Sequence, residues 1–331
     1  MKNKLTIIAL SVIHLVVDLV SISVIFSTVS SETVVILTVL YNFLAFAMQA
    51  PLGALLDKVA IPKYFAMLGY VFLIVAVLLT GSPVAAIIFV GLGNALFHIA
   101  GGYITLSLSK KIGWLGLFVA PGALGLFLGR MLPFSPLILI GLVVICLVIT
   151  LLMPIKIIKT KVQKMPSSNN ATLYVLITVK IILLVVCFRS YIGFAASLAP
   201  LSLPILLTLG VVIGKVLGGV IADKIGVYKT AFSSLVVSAV LFLFAGQSGV
   251  VSILTVLFFN MTMPLTLFSL YKFLGEQHKG LAFGLTTLAL FLGFLLSLVS
   301  RSLPFYIISI LTLCSLGLFW LFKLLAAQKR G

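Results

Sequence analysis

His14 and Asp18 are the residues of this sequence best suited to handle a proton, and both interrupt an apolar stretch near the N-terminus. Because they are four residues apart, a helix places the imidazole and the carboxylate on one face. Such a pair can share a proton near neutral pH, since burial favours the neutral acid while the anion favours the charged imidazolium. The hypothesis is a proton-coupling site, and the alternative is a structural pair that fixes helix packing.

Further polar side chains lie within apolar stretches, where ionisable groups are costly and usually face a protein interior or a water-filled cavity. Asn94 and His98 are four residues apart, and Asn42 and Gln49 are seven apart, so each pair falls on one helical face. The candidates for binding a substrate are Asn42, Gln49, Asn94, His98 and Lys180. For the amides the alternative is interhelical hydrogen bonding, and His98 is alternatively a proton relay or a histidine bonded to nearby backbone.

Two other cations, Arg189 and Lys215, also fall within apolar stretches, and we expect both to reach a membrane interface or a loop by snorkelling.

The three cysteines form no C-x-x-C pair and no Cys/His cluster. They therefore indicate neither a disulfide framework nor a metal site. No cofactor is expected, and the lack of a Walker-type glycine-rich loop argues against ATP-driven transport within this chain.

The elements that must position these residues are membrane helices. Of the 331 residues, 63% are hydrophobic and 8% are charged, against about 45–50% and about 25% in soluble domains. A water-soluble globule is excluded. Since a spanning helix needs about 20 apolar residues, the chain accommodates twelve. The predicted spans are 5–27, 33–56, 64–80, 84–108, 113–130, 134–155, 171–192, 201–222, 230–247, 250–272, 281–300 and 303–323.

The distribution of basic residues predicts the orientation. Of the 22 Lys and Arg, seventeen flank the spans on one side, two lie on the other side and three lie within spans. Because Lys and Arg are retained on the cytoplasmic side, both termini are predicted to be cytoplasmic in a multi-pass protein of the cell membrane. This asymmetry explains the net charge of +17 without any nucleic acid partner. The lipid bilayer is the expected partner, and twelve spans suffice for a monomer.

An internal repeat predicts two parallel six-helix halves. The segment from Gly53 through Asp57 and Lys58 matches the one from Gly219 through Asp223 and Lys224 at an offset of 166 residues. The predicted organisation is an N-terminal bundle of residues 1–155, a polar cytoplasmic linker of residues 156–170 and a C-terminal bundle of residues 171–331. The fold class is therefore an all-α polytopic membrane protein, and two such bundles can rock about a site near the bilayer midplane.

Three motifs carry a resemblance to a known family: His14-Leu-Val-Val-Asp18, Gln49-Ala-Pro51-Leu-Gly53-Ala-Leu-Leu-Asp57-Lys58 and Gly91-Leu-Gly93-Asn-Ala-Leu-Phe97-His98. The glycine-to-aspartate turn resembles the cytoplasmic loop motif of the major facilitator superfamily. Together the motifs are most similar to the fosmidomycin-resistance type of drug exporter. The sequence departs from that type after His98, where Ile99 and Ala100 stand in place of an expected Pro-Glu pair.

The repeated loop motif also predicts a gate. Asp57, Lys58, Asp223 and Lys224 are expected at helix ends. A carboxylate there can cap a neighbouring helix or pair with a base in one conformation only, which makes it a latch. The alternative is a solvated turn. Pro51, Pro121, Pro200, Pro204 and Pro264 are expected to bend or break helices.

These features favour a secondary transporter, which we expect to export a small drug-like molecule or organic anion in exchange for protons. The alternatives are proton-coupled import of a metabolite and a non-transporting receptor of the same fold. A membrane enzyme is disfavoured, because five acids with only Asp18 in a span cannot build the carboxylate cluster that metal–diphosphate chemistry needs.

Overall fold

The architecture is that of a helical membrane protein. The structure is a computed structural model that describes residues 2–155, 169–196, 198, 204–300 and 302–328. Over these residues nine helices are long and apolar enough to cross a membrane, three shorter helices are apolar, and there is no strand. The predicted all-α class with twelve helices is confirmed.

The twelve helices follow the predicted spans, with ends that differ by a few residues. In chain order they are α1 (Lys2–Thr28), α2 (Val34–Val59), α3 (Pro62–Leu78), α4 (Pro83–Leu108), α5 (Ile112–Met131), α6 (Pro136–Leu152), α7 (Asn169–Ala195), α8 (Pro204–Ile225), α9 (Val227–Phe242), α10 (Gly249–Leu274), α11 (Lys279–Val299) and α12 (Phe305–Gln328).

Several prolines lie either at the first residue of a helix or near an interruption within one. Four helices, α3, α4, α6 and α8, begin at a proline, where the missing N–H would have no partner in any case. Three helices are interrupted near a proline: α2 by a π-helical turn over Phe43–Ala47, α5 before Gly122, and α10 before Thr262. Pro51 and Pro264 lie in the first turn after the interruption, and Pro121 lies within it, as the N-cap of the second half of α5. Pro200 lies outside the described residues.

The contacts divide the chain into two compact units, one of residues 1–158 with 279–288 and one of residues 159–278 with 289–331. In the first unit, α1 packs against α4 and the second half of α5, and α3 lies along α4. A Cβ added at Gly69 would lie 2.8 Å from the Gly93 carbonyl oxygen, so α3 and α4 need glycine there. The predicted boundary at 156–170 stays a prediction, because residues 156–168 lie outside the described part.

The second unit has its own apolar core. Here α7 packs against α12, α8 packs against α10, and α9 contacts α10 and α12. Its central cluster consists of Ile192, Leu235, Phe242, Ala245, Phe259 and Ile308. Close helix approach again needs glycine, since a Cβ at Gly214 would lie 2.2 Å from the Leu257 carbonyl oxygen.

Candidate functional site

Helix α1 places His14 and Asp18 one turn apart on a face buried inside the first unit. Their exposed fractions are 4% and 7%. The Nε2 atom of His14 lies 3.2 Å from the Oδ2 atom of Asp18. Ser11 and Ser21 share this face, and their hydroxyls donate to carbonyls of the same helix. The pair predicted from the spacing therefore forms in the folded protein.

Helix α4 brings Asn94 and His98 to the same place. Asn94 Nδ2 donates to Asp18 Oδ1 over 2.9 Å and to the Ser21 hydroxyl over 3.1 Å. His98 Nε2 lies 2.8 Å from His14 Nε2 and 3.6 Å from Asp18 Oδ1. All of these side chains are buried. We call His14, Asp18, Asn94 and His98 the polar cluster.

The backbone determines how the two imidazoles carry their protons. His14 Nδ1 lies 2.7 Å from the Phe118 carbonyl oxygen, and His98 Nδ1 lies 2.9 Å from the Asn94 carbonyl oxygen. A carbonyl oxygen only accepts, so each Nδ1 must be the donor. In neutral rings both Nε2 atoms would then present lone pairs to each other. Their separation of 2.8 Å is satisfied only when a proton lies between them.

Apolar groups close the polar cluster off from water. The His14 ring packs at 5.1 Å from the Phe118 ring and 6.1 Å from the Phe97 ring, measured between centroids. Gly122 forms the opposite wall, where an added Cβ would lie 2.3 Å from Asp18 Oδ2 and 2.4 Å from His14 Nε2. Electrostatic interactions within the cluster are strengthened by this low-dielectric surrounding.

The donor set matches a proton site better than a metal site. His14, Asp18 and His98 offer three potential ligand atoms within 4.8 Å of one another. Two nitrogens bound to one tetrahedral zinc ion at about 2.05 Å would be about 3.3 Å apart. The observed 2.8 Å between the Nε2 atoms is a hydrogen-bond distance. The geometry therefore suits one shared proton, with the Asp18 carboxylate beside it.

The other candidates for substrate binding lie elsewhere. Gln49 is fully buried, with its Nε2 donating to the Ala45 carbonyl and its Oε1 without a partner among the described residues. Asn42 is half-buried and donates to the Thr38 carbonyl. The π-helical turn between them changes the helical phase, so a spacing of seven no longer returns to one face. Lys180 is exposed on α7.

The candidate gate residues lie at two helix ends. Asp57, near the end of α2, accepts hydrogen bonds of 2.8 Å from the backbone N–H groups of Gly280 and Leu281. It therefore caps the first turn of α11, within the first unit. Lys58 is exposed beside it, and Asp223 and Lys224 are exposed at the end of α8. A Cβ at Gly53 would lie 2.2 Å from the Gly280 carbonyl oxygen, so α2 and α11 touch along their backbones.

Solved structures resemble this chain along nearly its whole length. The E. coli fucose:proton symporter FucP matches with a TM-score of 0.66 and 12% identity, over 98% of this chain and 99% of that chain. FucP in the outward conformation, a major facilitator superfamily transporter, matches with a TM-score of 0.67 and 12% identity, over 98% of each. The chain has the major facilitator fold. The human organic anion transporter MFSD10 (TETRAN) matches with a TM-score of 0.70 and 14% identity, over 95% of this chain and 99% of that chain.

By sequence, no family profile and no curated protein matches this chain. The structural neighbours are transporters of the major facilitator fold, and at 12–14% identity they show that fold and not the family within it. They do not distinguish the fosmidomycin-resistance type within it.

Two features of the polar cluster, and the burial of one cation in the second unit, were not predicted from the sequence. The Phe118 carbonyl sets the His14 tautomer, and Gly122 makes room for the carboxylate. A glycine beside a proline in a membrane helix was the available signal for Gly122, whereas no sequence signal marks a carbonyl acceptor. Arg189, expected at an interface, is instead 7% exposed, with its guanidinium 5.4 Å from the centroid of the Phe259 ring.

Proposed function

We propose that this protein is a secondary transporter that exchanges a small molecule for protons by alternating access. The observation that carries the proposal is the pair of imidazole Nε2 atoms 2.8 Å apart beside the buried Asp18 carboxylate. Ionisable groups inside a membrane are costly and mark ion or proton pathways. The fold supports transport in general, and the expectation that the chain is not an enzyme agrees with neighbours that are transporters.

His14 and Asp18 are the proposed proton-coupling residues, and the geometry adds His98 to them. With one proton between the Nε2 atoms, the Asp18 carboxylate balances the charge of the imidazolium. Without that proton, two lone pairs and a carboxylate face one another at 2.8 to 3.6 Å and repel. Helices α1 and α4 must then move or the rings must turn, so proton release favours a different conformation.

The remaining polar candidates are proposed to serve the substrate. Gln49 has a buried acceptor without a described partner, which a substrate donor would satisfy. Asn42 and Lys180 stay proposed substrate contacts, as an amide and a cation. Asn94 and His98, also candidates for the substrate, are bonded to Asp18 and to His14 respectively. A substrate that binds Asn94 or His98 would therefore change the hydrogen bonds of Asp18 and His14.

Export of a drug-like molecule or organic anion is the proposed direction and cargo. The motifs around His14, Gln49 and His98 that resemble the fosmidomycin-resistance exporters support export. One structural neighbour is named an organic anion transporter and another a fucose:proton symporter. The symporter makes proton-coupled import the second candidate. Export by proton antiport and import by proton symport would use the same proton site.

The membrane setting follows the charge asymmetry of the sequence. We place both termini in the cytoplasm and the chain in the cell membrane, because seventeen of the 22 basic residues then flank spans on the inner side. No nucleic acid partner is needed to account for the charge. The working unit is proposed to be a monomer, since one chain supplies all twelve helices.

Asp57 and its neighbours are proposed to form the gate. The two backbone N–H groups at the start of α11 point at a carboxylate, which complements the positive end of the helix dipole. The contact forms only while α11 lies against the end of α2, so its loss would accompany a change of state. Lys58, Asp223 and Lys224 complete the proposed gate as the neighbour and the repeat counterparts of Asp57.

The Asp57 cap is testable without a substrate. Asp57→Asn removes the charge from two hydrogen bonds, and a loss of about 1.4 kcal/mol corresponds to a tenfold change in a local opening equilibrium. We expect the amides of Gly280 and Leu281 to exchange hydrogen at least about tenfold faster, as measured by mass spectrometry in lipid nanodiscs. Glu32→Gln, which removes a carboxylate charge in the exposed turn before α2 and outside the gate, should leave exchange unchanged. Equal protection in Asp57→Asn and the wild type would disprove the cap as a latch.

The proposed function is tested by proton movement in proteoliposomes that contain a trapped pH dye. A panel of antibiotics, phosphonates and organic anions is added outside, with potassium and valinomycin holding the membrane potential at zero. A compound that enters in exchange for protons should raise the internal pH, whereas a symported compound should lower it. The sign of the pH change does not depend on the orientation of the protein in the vesicle.

Protein-free vesicles serve as the control for compounds that carry protons by themselves. A protein-dependent rise of internal pH with at least one compound is the expected result. Uptake of a labelled compound with no accompanying pH change would reject proton coupling and favour a uniporter. A fall of internal pH would replace export with import.

A further inference from the structure

Arg189 is a buried cation in the apolar core of the second unit. It lies on α7, six residues before the end of that helix, and its exposed fraction is 7%. Its guanidinium lies 5.4 Å from the centroid of the Phe259 ring on α10. Phe259 belongs to the central apolar cluster of this unit, and Ile192, one turn beyond Arg189, belongs to it as well. The guanidinium thus lies against the apolar core of this unit.

No protein anion described in this unit balances the charge. The unit contains two acids, Asp223 and Glu276, and both are exposed, on α8 and after α10. Within the described part of the chain, Arg189 forms no ion pair, and its buried Nε atom has no acceptor. Asp223 lies near the C-terminal end of α8, which begins at Pro204.

An unbalanced guanidinium in such a place needs an explanation. Arg does not lose its proton in proteins, so it cannot escape the cost of burial by becoming neutral. The attraction of one aromatic face offsets only part of the cost of removing a full charge from water. Snorkelling is the usual escape for a membrane arginine, but a side chain 7% exposed has not taken it.

We infer that Arg189 anchors an anion site in the second unit, whose ligand carries a carboxylate, phosphonate or phosphate group. The planar fork of a guanidinium donates two parallel hydrogen bonds to such an oxyanion, and the Nε without an acceptor is one member of that fork. The Phe259 ring lies against the guanidinium, 5.4 Å from it at the centroid, and offers no oxygen acceptor to the fork. The inference rests on the proposed function only in taking this oxyanion to belong to the transported molecule.

The test is the thermal stability of the purified chain in phosphatidylcholine nanodiscs, with inorganic phosphate, methylphosphonate or benzoate as probes at constant ionic strength. We expect a saturable rise in melting temperature with at least one probe. In Arg189→Met this rise should disappear. The variant without any probe should melt at or above the wild-type temperature, because an unbalanced buried charge has been removed. Arg189→Lys, which keeps the charge without the fork, should bind the probe at least about tenfold more weakly.

Lys215→Met is the matched control, since Lys215 is another buried cation of the same unit, 9% exposed, on α8. It should keep the probe-induced rise. Two results would overturn the inference: a rise that persists in Arg189→Met, or an Arg189→Met that melts well below the wild type while no probe stabilises the wild type. The second result would make Arg189 a packing residue.

A parallel series in nanodiscs that contain phosphatidylglycerol separates the two sources of an oxyanion. Stabilisation by soluble probes in neutral lipid supports a solute as the ligand. An Arg189-dependent rise seen only with the anionic lipid would overturn the link to a transported molecule and assign the site to a lipid phosphate. Because all of these measurements are made at equilibrium without a gradient, the anion site can stand even where the proton-flux experiment fails.

Discussion

Asp18→Asn should slow substrate-driven proton movement at least about 100-fold, the scale on which a positioned acid or base contributes to proton transfer. The substitution is nearly isosteric, so Asn94 Nδ2 keeps an oxygen acceptor at position 18. What is lost is the negative charge 3.2 Å from His14 Nε2 and 3.6 Å from His98 Nε2, which balances the shared proton. The measurement is the initial rate of internal pH change in the dye-loaded proteoliposomes, with a compound active on the wild type.

Ser11→Ala is the matched control for Asp18→Asn. Ser11 is also buried on the polar face of α1, but its hydroxyl donates only to the Ile7 carbonyl of its own helix. It should move protons at a rate close to that of the wild type. Normal proton movement by a folded Asp18→Asn would show that the polar cluster is structural. The receptor and uniporter alternatives would then be favoured.

Gly122→Ala should also abolish coupling, although alanine carries no charge and takes part in no proton transfer. Its Cβ would lie 2.3 Å from Asp18 Oδ2 and 2.4 Å from His14 Nε2, closer than real contacts allow. Either α5 moves away from α1 or the two side chains are displaced, and the second outcome separates the Nε2 atoms. We expect proton movement to fall at least about tenfold, with a loss of stability of about 1–3 kcal/mol, which is typical of overpacking.

Gly129→Ala distinguishes damage to the polar cluster from damage to packing. Gly129 lies on the same helix, and its added Cβ would meet the Leu19 carbonyl oxygen at 2.3 Å, an equal steric conflict away from the histidines. Thermal melting should fall by a similar amount in both variants, whereas proton movement should be impaired more in Gly122→Ala. Equal loss of movement in both would assign the effect to the α1–α5 interface as a whole.

Several parts of the candidate site were predictable because they lie within one helix. The pairing of His14 with Asp18 depends only on a spacing of four residues, which a helix turns into a shared face. Placing Asp57 at a helix end needed only the glycine-to-aspartate turn and its repeat. The seven-residue spacing of Asn42 and Gln49 failed as a guide to a shared face, because a π-helical turn lies between them.

The sequence by itself determined that the helices lie in a membrane, how many there are and which faces carry polar groups. Hydropathy and helical period suffice for this because each is a property of one segment at a time. Only the tertiary structure decided which faces meet. It brought His98 Nε2 to 2.8 Å from His14 Nε2 across 84 residues of sequence, and directed Asp57 to two amides of α11. It also buried Arg189 against Phe259. Contacts of this kind depend on the rotation and translation of one helix against another, which close packing at glycines sets and no single segment encodes.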